Sequence, residues 1–198
     1  MRIALNLKGV AVDYRPVNLL EGEHKSAEYL AVNPAGLVPA LVLEDGRSIH
    51  QSLAILLYLE DEYPEPALLP TDPFEKARVI SMATTVACEI HPLNNIGVLN
   101  YLRAEYSVEE PRINEWMHQW LDRGFTTLEQ EIQGQPYCNG EQPGLADVLL
   151  VPMVYNALRF KYPLAERQPT VLSVWKACNE LPAFIAAQPE QQPDAEAS

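Results

Sequence analysis

The sequence predicts a small α/β domain over residues 1–63, a linker over 64–72, an all-α domain over 73–188 and a disordered tail over 189–198. Three observations carry that prediction. Residues 1–63 mix short β-rich runs with helical stretches and turn signals, the pattern of a small α/β layer structure. Tyr63 to Pro73 holds four prolines, none of which can donate the N–H that a helix or sheet needs. Beyond that point the apolar residues recur at helical spacing.

In chain order, Pro39 stands just before the apolar run Ala40 to Leu43 and marks a strand entrance, because proline cannot join a ladder as a donor. Asp45-Gly46 supplies the positive-φ residues of a tight hairpin turn, and Ser48 to His50 is the return strand. Ser52 then caps a helix running to about Glu62. Asp72-Pro73-Phe74-Glu75 is a helix start, with an N-cap, a proline at the first helical position and a glutamate at the third. From Phe74 to about Tyr101 the residues Val79, Met82, Val86, Ile90, Leu93 and Val98 form one helical pattern that Pro92 kinks. Ser107-Val108-Glu109-Glu110 reads as a capping box, and Ile113, Trp116, Met117, Trp120, Leu121, Leu128 and Ile132 make the apolar stripe of the helix that follows. After Glu180 the chain turns rich in Pro, Gln and Glu, which predicts fraying.

Composition excludes several classes of function. The formal charge of −13 repels nucleic acid and anionic membrane surfaces. No apolar run reaches the length of a membrane span, and the first residues lack the layout of a signal peptide, so a cytoplasmic location is expected. Cys88, Cys138 and Cys178 fit neither a disulfide framework nor a CxxC motif; Cys88 and Cys178 fall in helical apolar patterns, where a thiol acts as a small hydrophobe. The four histidines, His24, His50, His91 and His118, show no metal-ligand spacing, and no metal is expected.

The densest functional signal is Asn33-Pro34-Ala35-Gly36-Leu37-Val38-Pro39-Ala40-Leu41, followed by Gln51-Ser52-Leu53-Ala54-Ile55. A cis Val38–Pro39 bond would turn the Val38 N–H and C=O outward, where they can pair with an extended peptide. A carboxylate can dock at the helix start, where free N–H groups, the dipole, the Ser52 hydroxyl and the Gln51 amide all favour it. Backbone pairing beside a carboxylate cradle describes a receptor for a small peptide.

This local pattern resembles the glutathione site of the glutathione transferases. Arg2 to Gly9, Pro16 to Leu20, His50 to Ile55, Leu68-Leu69-Pro70, His91-Pro92-Leu93-Asn94-Asn95, Ala146-Asp147, Val151-Pro152 and Arg159-Phe160-Lys161 extend the resemblance over nearly the whole chain. They point to the zeta class, the maleylacetoacetate and maleylpyruvate isomerases. The resemblance implies a thioredoxin-like first domain, an all-α second domain, a homodimer, and glutathione as cofactor of a cis–trans isomerisation in aromatic catabolism.

The same resemblance implies roles for single residues. Val38, beside Pro39, gives its main chain to the cysteinyl part of glutathione; Gln51 and Ser52 hold the γ-glutamyl end, and His24 meets the glycyl carboxylate. His91 and Asn95, read as one turn apart on an inner helix, close over glutathione, unless they only satisfy backbone groups near Pro92. Arg159 binds a substrate carboxylate, or else serves as a structural ion-pair partner, and Arg103 is a weaker candidate for a second carboxylate. Gly144 to Asp147 stands where the family caps its most buried helix with Thr or Ser.

One departure bears on activity. Family members carry a first β-strand and a serine-containing loop before the stretch that here starts Met1-Arg2-Ile3, and a hydroxyl of that loop favours the glutathione thiolate. No catalytic residue is therefore named in this chain, and the expectation is a functional protein with a further N-terminal segment. In the thioredoxin-like fold that first strand lies between a strand at Tyr14–Asn18 and the one at Ala40–Leu43. Two other readings stand beside the isomerase: a general transferase acting on small halo acids, and a non-catalytic module that binds glutathione or a partner.

Overall fold

The computed structural model describes residues 1–195 and divides into two compact units, one from Met1 to Ala67 joined by the segment that begins at Pro182, the other Leu68–Leu181. In the first unit, helix α1 (Arg2–Lys8) ends at Gly9, whose left-handed φ of 65° lets the Val10 N–H reach back to the Leu5 carbonyl. A 3-10 turn (Glu23–Lys25) precedes α2 (Ala27–Val32), which Ser26 caps by accepting from the Tyr29 N–H. Strands β1 (Ala40–Val42) and β2 (Ser48–His50) pair antiparallel, with Ala40 opposite His50. Helix α3 (Ser52–Glu62) follows at once.

The unit closes around Ile3 and Ala4 of α1, Ile55, Leu56 and Leu59 of α3, and Phe184. Phe184 belongs to α10 (Pro182–Ile185). Sequence reading assigns the chain up to residue 188 to the helical domain. The segment from Pro182 instead packs on α1, because Asn6 Nδ2 donates to the Ala183 carbonyl and Arg2 Nε to that of Ala187. The expected tail is ordered at its start, where Pro189–Gln191 forms a 3-10 turn and the Gln192 amide bonds the Ala186 and Gln188 carbonyls. Residues 196–198 of that tail lie outside the described residues.

Two expectations for this unit change. Tyr14–Asn18 is not a strand: the Asn18 carbonyl and side chain serve the turn that follows, accepting from Glu23, Leu20 and Glu21 N–H groups, while the Asn18 N–H goes to Glu23 Oε2. The hairpin has a three-residue loop, Glu44 to Gly46, closed by the Leu43 N–H on the Arg47 carbonyl, and positive φ is needed only at Gly46. Asp45 contributes acceptors for Arg47 instead.

The second unit is helical. Asp72 caps α4 (Pro73–Thr84), accepting from the Phe74 and Glu75 N–H groups. The single kinked helix expected over 74–101 is interrupted more deeply than a kink. A π-helical turn (Thr85–Ile90) and a 3-10 turn (His91–Leu93) separate α4 from α5 (Ile96–Tyr106). Pro92 cannot donate to the carbonyl four residues back and its ring crowds that turn. The threonine hydroxyls of Thr84 and Thr85 bond back onto Ile80 and Ser81 carbonyls, loosening the ladder just before it.

Helix α6 (Glu110–Glu131) crosses this region, and Gly124 leaves the space that Ile90 fills. The capping box expected at Ser107 does not form. Ser107 ends α5 in the left-handed region, φ 52°, and α6 starts from Glu109 without a side-chain cap. Helix α7 (Leu145–Arg159) is the most buried element, followed by α8 (Leu164–Arg167) and α9 (Pro169–Cys178), whose first N–H groups are held by Glu129 of α6. Among the described residues no helix is long and apolar enough to cross a membrane.

Candidate functional site

The pair Ala40↔His50 is the last rung of the two-stranded sheet, so Pro39 and Gln51 flank one end of it, with Val38 and Ser52 one residue further out. The register thus brings the strand entrance and the start of α3 together. The Val38–Pro39 peptide is cis, the condition under which the sequence reading has Val38 face a peptide. Among the described residues neither the N–H nor the C=O of Val38 has a hydrogen-bond partner.

What holds this loop is local. The Leu37 carbonyl accepts from the Tyr29 hydroxyl at 2.8 Å and from Asn33 Nδ2 at 2.6 Å, while Asn33 Oδ1 accepts from the Ala35 N–H. Asn33 is buried, so both ends of its amide are spent on the loop that presents Val38. Gly36 sits at φ +60°, and a Cβ there would stand 3.1 Å from the His24 carbonyl. That close approach lays the His24 turn against the loop. In the sequence the run that starts at Asn33 marks the place of this loop but not the two bonds to Leu37, and nothing marks Tyr29.

Gln51, not Ser52, is the N-cap of α3. Gln51 adopts φ 72° and ψ 123° with no side-chain cap bond, and Ser52 is the first helical residue. A non-glycine residue at such a φ costs about 1–3 kcal/mol, and that strain is sustained where the sheet meets the helix. The side chains of Gln51 and Ser52 have no partner among the described residues, and no side chain caps the first-turn N–H groups of α3. An unclaimed row of donors at the positive end of an 11-residue helix has the chemistry that favours an anion. His24 adds a shielded Nδ1 with no partner among the described residues.

In the helical unit, His91 lies on the 3-10 turn and Asn95 beyond it, as N-cap of α5. They do not share one helix. Asn95 Oδ1 accepts from the Val98 N–H and its Nδ2 donates to the Pro92 carbonyl, so its amide is engaged in holding the backbone near Pro92. The imidazole of His91 keeps an exposed edge while nearby protein displaces part of its water, and that desolvation lowers its pKa.

Arg159 is the last residue of α7 and is exposed. Each of the other arginine side chains has a hydrogen-bond or ion-pair partner, from Arg2 on Ala187 to Arg167 on Asp122, the loosest being Arg123 at 3.9 Å from Glu89; among the described residues Arg159 has none. It is therefore not a structural ion-pair partner. Arg103 is one: its guanidinium grips Glu110 through two bonds, 2.6 and 3.0 Å. Among the described residues no cluster of His, Cys, Asp and Glu is placed to hold a metal ion.

Two thiols surround a buried carboxylate. Asp147 accepts from the Gly144 N–H at 2.8 Å and the Cys138 N–H at 2.9 Å, and the Cys178 thiol lies 3.8 Å away. Burial raises the Asp147 pKa, and burial beside that carboxylate raises both thiols. Glycine at 144 has a steric reason, since a Cβ would stand 2.9 Å from the Leu68 carbonyl, which accepts from the Leu145 N–H. Cys88, expected among apolar neighbours, is exposed, because the π-helical turn rotates it off the apolar face.

Residues 1–62 match the family described as glutathione S-transferase, N-terminal domain, which sets the class of protein. A maleylacetoacetate isomerase of Pseudomonas aeruginosa is 45% identical over all of this chain and 93% of its own length. The holo structure of a maleylpyruvate isomerase, a bacterial zeta-class glutathione transferase, superposes with a TM-score of 0.94 at 43% identity, covering 98% of this chain and 93% of that one. A maleylacetoacetate isomerase from Methylobacterium extorquens with bound malonate and glutathione gives a TM-score of 0.93 at 36% identity, covering 99% and 93%. The chain belongs to the zeta class of glutathione S-transferases, the maleylacetoacetate isomerase family, and has the glutathione transferase fold.

Proposed function

We propose that the protein is a glutathione-dependent cis–trans isomerase of a maleyl β-keto acid, maleylacetoacetate or maleylpyruvate. The observation that carries this reading is the unclaimed start of α3 beside the open main chain of Val38. The donors fit a tripeptide bearing two carboxylates: Gln51, Ser52 and the first-turn N–H groups for the γ-glutamyl end, Val38 for the cysteinyl backbone, and the unpartnered His24 Nδ1 for the glycyl end. Glutathione, when bound, supplies a thiol that adds reversibly across the cis double bond and is returned unchanged. The chain's residues orient the tripeptide; none of them is assigned to activating its thiol.

Arg159, with no partner among the described residues, is suited to a substrate carboxylate through paired N–H donors. His91 serves glutathione from the turn before α5, and the desolvation that lowers its pKa favours the neutral imidazole, which can both donate and accept. Asn95 contributes through the backbone it caps. A homodimer in the cytoplasm, acting in aromatic catabolism, accords with this reading and rests on the family resemblance.

The test is turnover of maleylacetoacetate, maleylpyruvate and a small α-halo acid, each with glutathione present and omitted. Isomerisation that requires glutathione and exceeds halo-acid turnover supports the proposal. Halo-acid turnover alone would move the reading to a general transferase, and glutathione binding without turnover to a binding module.

A further inference from the structure

We infer that one stretch of α6, Trp116 to His118, is a brace that sets where two ligand-binding positions of the helical unit stand, His91 and Arg159. The inference rests on the functional reading above. Three consecutive residues each make one bond to the chain beside His91 or Arg159: two side chains hold backbone carbonyls, and one carbonyl holds the Asn94 side chain. The Trp116 indole N–H donates to the Leu93 carbonyl at 2.8 Å. The Met117 carbonyl accepts from Asn94 Nδ2 at 3.2 Å. His118 Nε2 lies 2.9 Å from the Phe160 carbonyl; a carbonyl only accepts, so Nε2 carries the proton.

The held segments are the ones that helix geometry leaves unsupported. After Pro92 the chain leaves helical conformation, and Asn94 sits at φ −109°, ψ 10°. After Arg159 the chain turns through Phe160 to Lys161 at φ 55°, a left-handed position for a residue with a side chain. Asn94 is 6% exposed and its Oδ1 has no partner among the described residues. Burying an unsatisfied acceptor costs stability, so the amide is explained by its bond to α6 rather than by space filling. Underneath, Met117 packs with Leu99 and Ile113, and both Trp116 and Phe160 lie against that cluster. The brace is therefore stiff, and its two ends act separately: Trp116 and Asn94 on the His91 side, His118 on the Arg159 side. All three are positioning residues.

The test measures dissociation constants for glutathione and for malonate, a small dicarboxylate, on the full chain and on Trp116→Phe, His118→Phe and His118→Gln, with urea midpoints alongside. Both phenylalanines keep a ring and delete the N–H. Trp116→Phe is expected to weaken glutathione roughly three- to tenfold, the worth of one hydrogen bond, and to leave malonate unchanged. His118→Phe is expected to do the reverse, and His118→Gln, which restores an amide donor, to recover malonate affinity. Both ligands weakened together in step with the urea midpoint, or neither weakened, would overturn the brace. An unaltered chain that binds neither ligand overturns the functional reading and the brace with it; binding of both without the split overturns the brace alone.

Discussion

Arg159 is defined by what it lacks: among the described residues every other arginine is engaged and this one is not. Arg159→Gln is expected to raise KM for the maleyl substrate roughly 10- to 100-fold, the worth of a charge-assisted pair, with glutathione affinity unchanged. Steady-state kinetics with each substrate varied in turn checks this. Lys8 is the opposite case, a lysine with a fully buried side chain whose ammonium bonds the Tyr63 and Pro66 carbonyls and Glu60. Lys8→Met leaves those carbonyls without their donor and is expected to cost about 2–5 kcal/mol in urea unfolding. The thiols differ by burial: at neutral pH one cysteine per folded chain, Cys88, is expected to react with a disulfide reagent, and three after unfolding. Thiol titration reads that directly. At this scale Val38, Gln51 and Ser52 were legible because a proline, a turn and a helix start leave marks in the sequence. The engaged state of Asn95 and the clamp of Tyr29 and Asn33 on Leu37 were not, since many polar side chains can reach a carbonyl and only the fold selects one.

The elements most visible in the sequence were those with both a periodic stripe and an unambiguous cap. Helix α4 starts where Asp72-Pro73 predicts, and the buried Ile113, Met117, Leu121 and Leu128 of α6 are the predicted stripe. Misreadings arose where two signals compete. Ser107 can cap a helix or end one, and Pro111 fixes the start of α6 further on, leaving Ser107 to terminate α5. The π-helical turn has no composition signal at all; it follows from Pro92 pressing on a helix that must still bury Val86 and Ile90. Gly124 is its counterpart on α6, giving Ile90 its place. Gly124→Ala is expected to destabilise the helical unit by about 1–3 kcal/mol through overpacking, and a second change, Ile90→Val, to return part of the loss. Urea midpoints of the single and double variants measure the coupling.

For the whole molecule, the division into α/β and all-α parts was legible from the linker prolines, whereas the attachment of the Pro182 segment to α1 was not, because it depends on contacts nearly the full chain apart. Acid stability follows from a network at the far side of α6. Tyr162 donates to Asp122 at 2.7 Å, and Arg167 and Gln168 join it. The tyrosine bond first, then Arg167, holds the Asp122 pKa below its ordinary 3.8. A carboxylate with a depressed folded pKa stabilises above its unfolded pKa and loses that contribution as pH falls below 3.8. Tyr162→Phe is expected to flatten the acid limb of the pH–stability curve, read as a smaller drop in melting temperature between neutral and acid pH. Function, in this account, rests on the first unit reading a small peptide at the start of α3. The measurement that tests it most directly is calorimetric titration of the chain with glutathione and with cysteinylglycine, which lacks the γ-glutamyl carboxylate. Saturable binding of one glutathione per chain is expected, with at least about tenfold weaker binding of the dipeptide, the worth of a carboxylate on charge-assisted bonds. Equal affinity for the two, or no binding of glutathione, would contradict it.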